Sequence, residues 1–366
     1  MKGSRPGTAV VRSPAAARAL ARVWMALIIV LGSGAALLQW LGPPPAPMNQ
    51  PAMARVATTA RPPAAPTPAA PTPQATPQAA PQAGSPRPIP PQPSRPIAAP
   101  IPALLEPSPE NPKALLPRIG PDGLAPMAAY AGSFNQADPR PRIGLVLAGI
   151  GLSTEESRKA IEGLPGAITL AFSPYAPDPS ALLQLARSKG HEILISLPLE
   201  PEGYPLNDAG DESLLVGAPP GQNASRLDWV LSRVEGYVGA TGAMDGLYGQ
   251  RFAVAPDLFA TLEHRLASRG LLYIDPRPGK PDPTLVSGRT VDVIVDQPPI
   301  EPTIKANLQK LETLARTHQS ALGVIGWPSP QTVSLLTDWV ATLGRAGFVL
   351  APVTALIHHP TAPAKQ

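Results

Sequence analysis

The chain predicts an α/β fold built on a mainly parallel sheet, either open or closed into a barrel, and three observations carry that expectation. From Arg142 onward, short apolar runs alternate with amphipathic helical stretches. Glycines stand where helices give way to strands, at Gly190, Gly270 and Gly347, as C-terminal helix glycines do. The patterned part, Arg142 to about His358, is long enough to bury a single core. Alternation of this kind favours parallel neighbours, because each helix carries the chain back across the sheet.

The strands are expected at 143–148, 167–172, 192–197, 271–274, 291–295, 322–325 and 348–351. Helical spacing places helices at 154–163, 179–189, 224–234, 256–268, 303–317 and 331–345. Ser153, three residues before Glu156, makes a capping box for the first of them. Residues 200–255 interrupt the alternation with turn-rich, glycine-heavy sequence, where long functional loops are expected. Gly149-x-Gly151 follows a strand and opens a helix, but Thr154 stands where a dinucleotide fingerprint needs its third glycine. No acidic residue ends the next strand either, so a Rossmann site is excluded.

Ahead of the sheet the sequence changes character. Of 53 prolines in 366 residues, 29 fall between Pro43 and Pro141. That composition predicts a disordered Pro/Ala-rich linker over 42–141, extended as polyproline II; its "PRPIPPQP" stretch also fits a docking segment. Val23–Leu41, "VWMALIIVLGSGAALLQWL", holds no charge and is bracketed by Trp24 and Trp40, which predicts a transmembrane anchor. The cytoplasmic arm 1–22 carries Lys2, Arg5, Arg12, Arg18 and Arg22, and no acidic residue precedes Glu106. Positive charge on the N-terminal side keeps that side in the cytoplasm. The expected location is therefore a bacterial inner membrane, single-pass, with the folded domain in the periplasm. The rival is a cleaved signal peptide at Ala52-Met53-Ala54. Net charge is only +4, without a basic stripe interleaved with aromatics in the folded part, which speaks against a nucleic-acid partner. There is no cysteine, hence no disulfide and no thiolate metal site.

The strand-end signatures "RIGLVLAGIGLS", "LPGAITLAFSPYA", "ARSKGHEILISLPLEPEGYP", "RGLLYID", "VDVIVD" and "ALGVIGWPSPQTVSLLTDWV", in that order, resemble the divergent polysaccharide deacetylase family. The resemblance implies a distorted (β/α) barrel of about seven mainly parallel strands over 142–358, followed by a tail at 359–366. It also implies a metal-dependent hydrolase removing N-acetyl groups from a glycan, with zinc as the cofactor. In that chemistry the metal lowers the pKa of a bound water and a neighbouring carboxylate takes its proton.

This chain departs from the family pattern where the chemistry resides. Typical members carry Asp-Asp where Ala148-Gly149 stand here. A second histidine of the "GHEVLLH" type is Ser196, the Asn-Asn-His loop corresponds to "GATGAMDGLYGQRF" (239–252), and a late Gly-His-Pro is Gly326-Trp327-Pro328. No catalytic residue is assigned outright; Asp275, Asp296 and Glu200 are the candidates, Asp275 and Asp296 because each ends a strand. Glu200, Tyr204, Asp275, Asp292, Asp296 and Trp327 are the candidate binding residues. His191 is the weak candidate for a metal; it begins its strand, which puts it at the bottom face, where a structural histidine is also expected. His264 and His318 fall on helices and are expected to be solvated, and the His358-His359 pair lies near the tail.

Three functions stay open on these residues. The first is a degenerate barrel that binds a cell-envelope glycan such as peptidoglycan, without a cofactor. The second is an active glycan deacetylase using the remaining carboxylates and zinc. The third is a structural envelope protein recruiting a cell-wall protein.

Overall fold

The computed structural model describes residues 94–360. The basic arm 1–22, the apolar span 23–41, the linker up to residue 93 and the last six residues of the tail lie outside the described residues. Among the described residues, no helix is long and apolar enough to cross a membrane.

Two short strands, β1 (Leu105–Pro107) and β2 (Leu115–Pro117), pair antiparallel, and a short helix α1 (Pro126–Ala129) follows. The alternating part then runs β3 (Arg142–Ile150), α2 (Thr154–Gly163), β4 (Thr169–Phe172), α3 (Ser180–Lys189), β5 (Ile193–Ser196) and α4 (Gln222–Leu231). It continues through β6 (Gly239–Thr241), α5 (Pro256–Ser268), β7 (Leu272–Asp275), β8 (Gly288–Thr290), β9 (Val293–Ile294) and α6 (Glu301–His318). β10 (Ser320–Ile325), α7 (Pro330–Leu343) and β11 (Val349–Leu350) complete it. Local chemistry places these boundaries. Ser153 Oγ accepts from the Glu156 amide at 3.4 Å to start α2, and Gly190 ends α3 in the left-handed region at φ 82°, which costs glycine nothing.

The main sheet has the order β8-β7-β6-β5-β4-β3-β10-β9, parallel throughout. β11 pairs with Arg142 and Ile143 at the foot of β3, on the flank that β4 takes from Val146 upward. Only Val291 and Asp292 separate β8 at one end of this order from β9 at the other. The Val291 amide donates to Asp275 O of β7 (2.9 Å), and the Asp292 amide to Leu322 O of β10 (2.8 Å). One run of chain thus serves both flanks, and the sheet curls into a barrel-like shape.

Alternation along each strand sorts the apolar side chains into two layers. Ile143, Leu145, Leu147, Leu170, Ile193 and Tyr273 face outward, under the helices. Val146, Ala148, Ala171, Leu194, Leu272, Ile274 and Val324 face inward.

The expected strands and helices are present, with two additions. β6 was not expected, because its three residues Gly-Ala-Thr show no apolar run. Gly239 is nevertheless required there, since a Cβ would collide with the Leu272 carbonyl of the neighbouring strand. β8 (Gly-Arg-Thr) is equally short and mixed; it precedes the strand expected at 291–295, of which Val293 and Ile294 form β9.

The linker expectation needs correction. Residues 94–141 are not an extended tether: they carry β1, β2 and α1, and Leu104, Leu116 and Tyr130 are each at most 2% exposed. Tyr130 Oη accepts from the Ile101 amide at 2.8 Å, and the Ile97 amide donates to Arg187 O at 2.9 Å. Proline count misled, because folding depends on apolar surface to bury. Between residues 97 and 134 stand Ile97, Ile101, Leu104, Leu105, Leu115, Leu116, Met127, Tyr130 and Phe134, whereas 54–93 offers only Val56 and Ile89 as large apolar side chains. The prolines are compatible with the elements: Pro102 and Pro126 open helical turns, where a missing amide is harmless.

Leu104 and Tyr130 of this arm pack into the base of the inward layer, together with Ala351, Val353 and Leu356 from the C-terminal end, while Leu116 joins the outward layer. Burying three large side chains is worth roughly 1.5–3 kcal/mol each. A chain beginning at Arg142 should therefore be less stable than one beginning at Ser94 by at least about 3 kcal/mol, as measured by denaturant unfolding; equal stability would return the arm to the linker.

Candidate functional site

In parallel β/α folds, chemistry gathers where the C-terminal strand ends converge. Here the inward positions at that end are Ala148 of β3, Ser196 of β5, Thr241 of β6 and, by the alternation Ile294 in, Val295 out, Asp296. The turn 244–247 and Tyr248 sit at the same mouth. The Met244 amide donates to Leu247 O (2.9 Å) and the Leu247 amide to Met244 O (2.7 Å). Asp245 and Gly246 between them both have positive φ, 50° and 78°, the pairing that tight hairpins favour.

Behind this turn Tyr248, 3% exposed, packs inward with Ala148 and Ala243. Burial raises the phenol's pKa, with the Asp296 charge adding to the effect, so the ring stays neutral. Gly326, after β10, makes the approach possible: a Cβ there would lie 3.2 Å from Gly246 Cα and 3.4 Å from Tyr248 Oη. An uncharged aromatic ring therefore occupies the mouth. Tyr248 carries little sequence signal. Its one signal was an aromatic between glycines, "GLYG" (246–249), inside the loop that lacks the family's histidine.

Asp296 is the sequence candidate that reaches the mouth. Its two carboxylate oxygens accept from the Gly326 amide at 3.0 and 2.9 Å, and one accepts from the Trp327 amide at 3.3 Å. Burial still raises its pKa, against the opposing effect of these amides. Trp327, half-buried, stands beside Gly149: a Cβ on Gly149 would lie 2.9 Å from Trp327 Cε3 and 3.1 Å from Gly326 O. Ser196 is fully buried and its Oγ has no hydrogen-bond partner among the described residues.

The remaining candidates lie elsewhere. Asp275 follows the alternation Leu272 in, Tyr273 out, Ile274 in, and so faces outward. There Arg277 holds it with Nε at 2.8 Å and Nη2 at 2.6 Å, and the guanidinium stacks over Phe259 of α5 at 5.4 Å. The mouth position expected for Asp275 is corrected accordingly. Glu200 is 2% exposed and fully engaged: Arg251 Nε reaches it at 2.9 Å and the Val216 amide at 2.5 Å. It fastens two loops together, and Tyr204 lies partly exposed on the same 198–221 excursion. Asp292 sits on the run that joins the sheet's flanks, bound by Arg289 Nη2 (3.0 Å) and the Leu322 amide (2.7 Å). Arg289 also reaches Ser320 Oγ at the foot of β10 (2.8 Å), so Asp292 belongs to the base rather than the mouth.

His191, fully buried at the base, directs Nδ1 to Ile168 O (2.7 Å) and Nε2 to Ile161 O (3.2 Å). Burial lowers its pKa, and with both nitrogens turned to main-chain carbonyls it is a structural side chain and not a metal ligand. A catalytic zinc needs three protein ligands. Among the described residues no group of three His, Asp or Glu side chains could hold a metal ion, so the donor set does not fit the cofactor that the family chemistry uses.

The strand end that lacks the Asp pair is closed by backbone as well as by side chains. Gly149 has φ 73°, a region costing about 1–2 kcal/mol for a side chain, before any contact with Trp327. Gly149→Asp and Gly149→Ala should each lower stability by about 2 kcal/mol or more, without creating zinc binding. Calorimetric zinc titration and thermal unfolding check this; a Gly149→Asp protein of native stability that bound zinc would refute it.

Comparison with known proteins agrees with this architecture. The family model for divergent polysaccharide deacetylases matches residues 145–357. An uncharacterized protein of Haemophilus influenzae is 27% identical over 203 residues, covering 53% of this chain and 69% of its own. The crystal structure of an uncharacterized protein from Agrobacterium tumefaciens C58 superposes with a TM-score of 0.61 at 32% identity, over 66% of this chain and 99% of that one. With more than half of its length matched by the family model and its parallel strands in the order described, the chain belongs to the divergent polysaccharide deacetylases.

Proposed function

We propose that this protein binds a cell-envelope glycan, peptidoglycan being the chief candidate, without deacetylating it and without a metal cofactor. The observation that carries the reading is the filled mouth. Ala148 and Gly149 stand at the strand end where the chemistry needs carboxylates, Tyr248 packs behind them, and Asp296 is engaged by main-chain amides. None of these groups supplies a base beside a metal-bound water. The half-buried Trp327 at the rim offers what sugar recognition uses, an aromatic face for the apolar side of a pyranose ring. Asp296 beside it offers acceptor capacity for a hydroxyl.

In this proposal the domain works at the outer face of a bacterial inner membrane. The support is the uncharged stretch 23–41 with every nearby basic residue on its N-terminal side, and the proline-rich stretch after it suits a tether. Alkaline phosphatase, which folds actively only in the periplasm, should be active when fused after Gln366; activity of a cytoplasm-dependent reporter at that position instead would overturn the topology.

For the function itself, the full chain in neutral detergent should co-sediment with purified peptidoglycan. Trp327→Ala should weaken that binding three- to tenfold, about 0.7–1.4 kcal/mol, with the fold intact by circular dichroism. The same preparation should release no acetate from N-acetylated glycan oligomers, with or without zinc. Zinc-dependent acetate release that Asp296→Asn abolishes would establish the enzyme in place of the binding protein.

A further inference from the structure

Away from the mouth, three arginines converge on a recess between the β1–β2 hairpin and the last turn of α5. Arg118, Arg265 and Arg269 line it with Glu106, Ile119 and Ser268, around a volume of about 320 Å³. The ion pairs do not balance. Asp228 Oδ1 alone serves two guanidiniums, Arg265 Nη2 at 3.1 Å and Arg269 Nη2 at 3.5 Å. Glu106 meets Arg269 Nη1 at 2.9 Å, which leaves three cations against two carboxylates.

Arg118 is the unbalanced one. Its Nε donates to Ala103 O at 3.1 Å, and among the described residues neither of its terminal nitrogens has an acceptor. Arg265 Nε is buried with no hydrogen-bond partner among the described residues. Holding a third guanidinium beside two others costs repulsion, and one main-chain carbonyl is small return for it. A guanidinium fork matches a tetrahedral oxyanion by two parallel hydrogen bonds; Arg118 has both terminal nitrogens without an acceptor among the described residues, and the partly exposed Arg265 side chain lies beside it on the same recess.

We propose that this recess is an oxyanion site, built for a phosphate group and held chiefly by Arg118 and Arg265. It is independent of the glycan reading, since it lies on different elements from the mouth. The phosphate comes either as the free ion or as a phosphomonoester, and the two are separable.

The test is calorimetric titration of the full chain in neutral detergent, at fixed ionic strength, with inorganic phosphate and in parallel with glycerol 3-phosphate. At least one should bind saturably at one site. Arg118→Gln should weaken that binding threefold or more, and Arg118→Lys should recover part of it. Arg118 makes a single side-chain hydrogen bond, so this variant keeps its fold. Lys310→Gln, an exposed cation on α6 with the same change in net charge, should leave binding unaltered. Tighter binding of glycerol 3-phosphate assigns the site to phosphoesters, and tighter binding of phosphate to the free ion; both support it. Absence of saturable binding by either, or equal weakening by Lys310→Gln and Arg118→Gln, overturns it.

Discussion

At the base of the barrel one carboxylate, Glu192, is wholly buried, and donors from three separate stretches of chain converge on it. The Gly132 amide of the N-terminal arm donates at 2.8 Å, Thr169 Oγ1 of β4 at 3.3 Å, and the Thr354 amide at 3.2 Å, with the Thr354 hydroxyl as a fourth donor. Burial raises this group's pKa and the four donors pull it back down. A carboxylate so placed is tolerable only while its donors are present. The arm and the C-terminal end must therefore both be docked for β5 to keep its place in the sheet. Glu192 makes the base a single unit with the barrel and couples parts of the chain some 220 residues apart (132 to 354).

With the base sealed in this way, the interior is filled from both ends. Leu104, Tyr130, Val353 and Leu356 enter from below, Ala243 and Tyr248 from above, and the small inward residues Ala148 and Ala171 lie between. The central space of the barrel-like sheet is occupied by hydrophobic core. Outside that core, at the rim, Trp327 is half-buried.

Much of this was legible in the sequence, and the limits have physical causes. Helices α2 and α5 match their expected limits, 154–163 and 256–268, because each has a start signal and an apolar stripe of helical period. β3 was legible as a continuous apolar run. β6 was not, since a three-residue rung buried between two neighbours needs small size more than hydrophobicity. The arm was not, since its prolines mask the large apolar residues interspersed with them, Ile97, Leu104, Leu116 and Tyr130 among them. For the site, the missing Asp pair could be read directly, and Ser196 and Trp327 stood out as replacements. What filled the gap could not be read, because Tyr248 comes from a loop with no periodicity. Asp275 and Asp296 both end apolar runs, and only strand alternation in the folded sheet turns one outward and the other to the mouth.

Gly149 shows how unevenly this end of the fold admits new side chains. A side chain at that position meets three obstacles at once: a left-handed backbone at φ 73°, the Trp327 ring, and the Gly326 carbonyl. Each obstacle is held by other parts of the mouth: Gly326 admits Tyr248, and Asp296 fixes the amides that position Trp327. A carboxylate at this position must therefore disturb well-packed neighbours. The mouth therefore tolerates change unevenly: a new side chain is resisted at its centre, at Gly149, more than at the half-buried Trp327 on its rim.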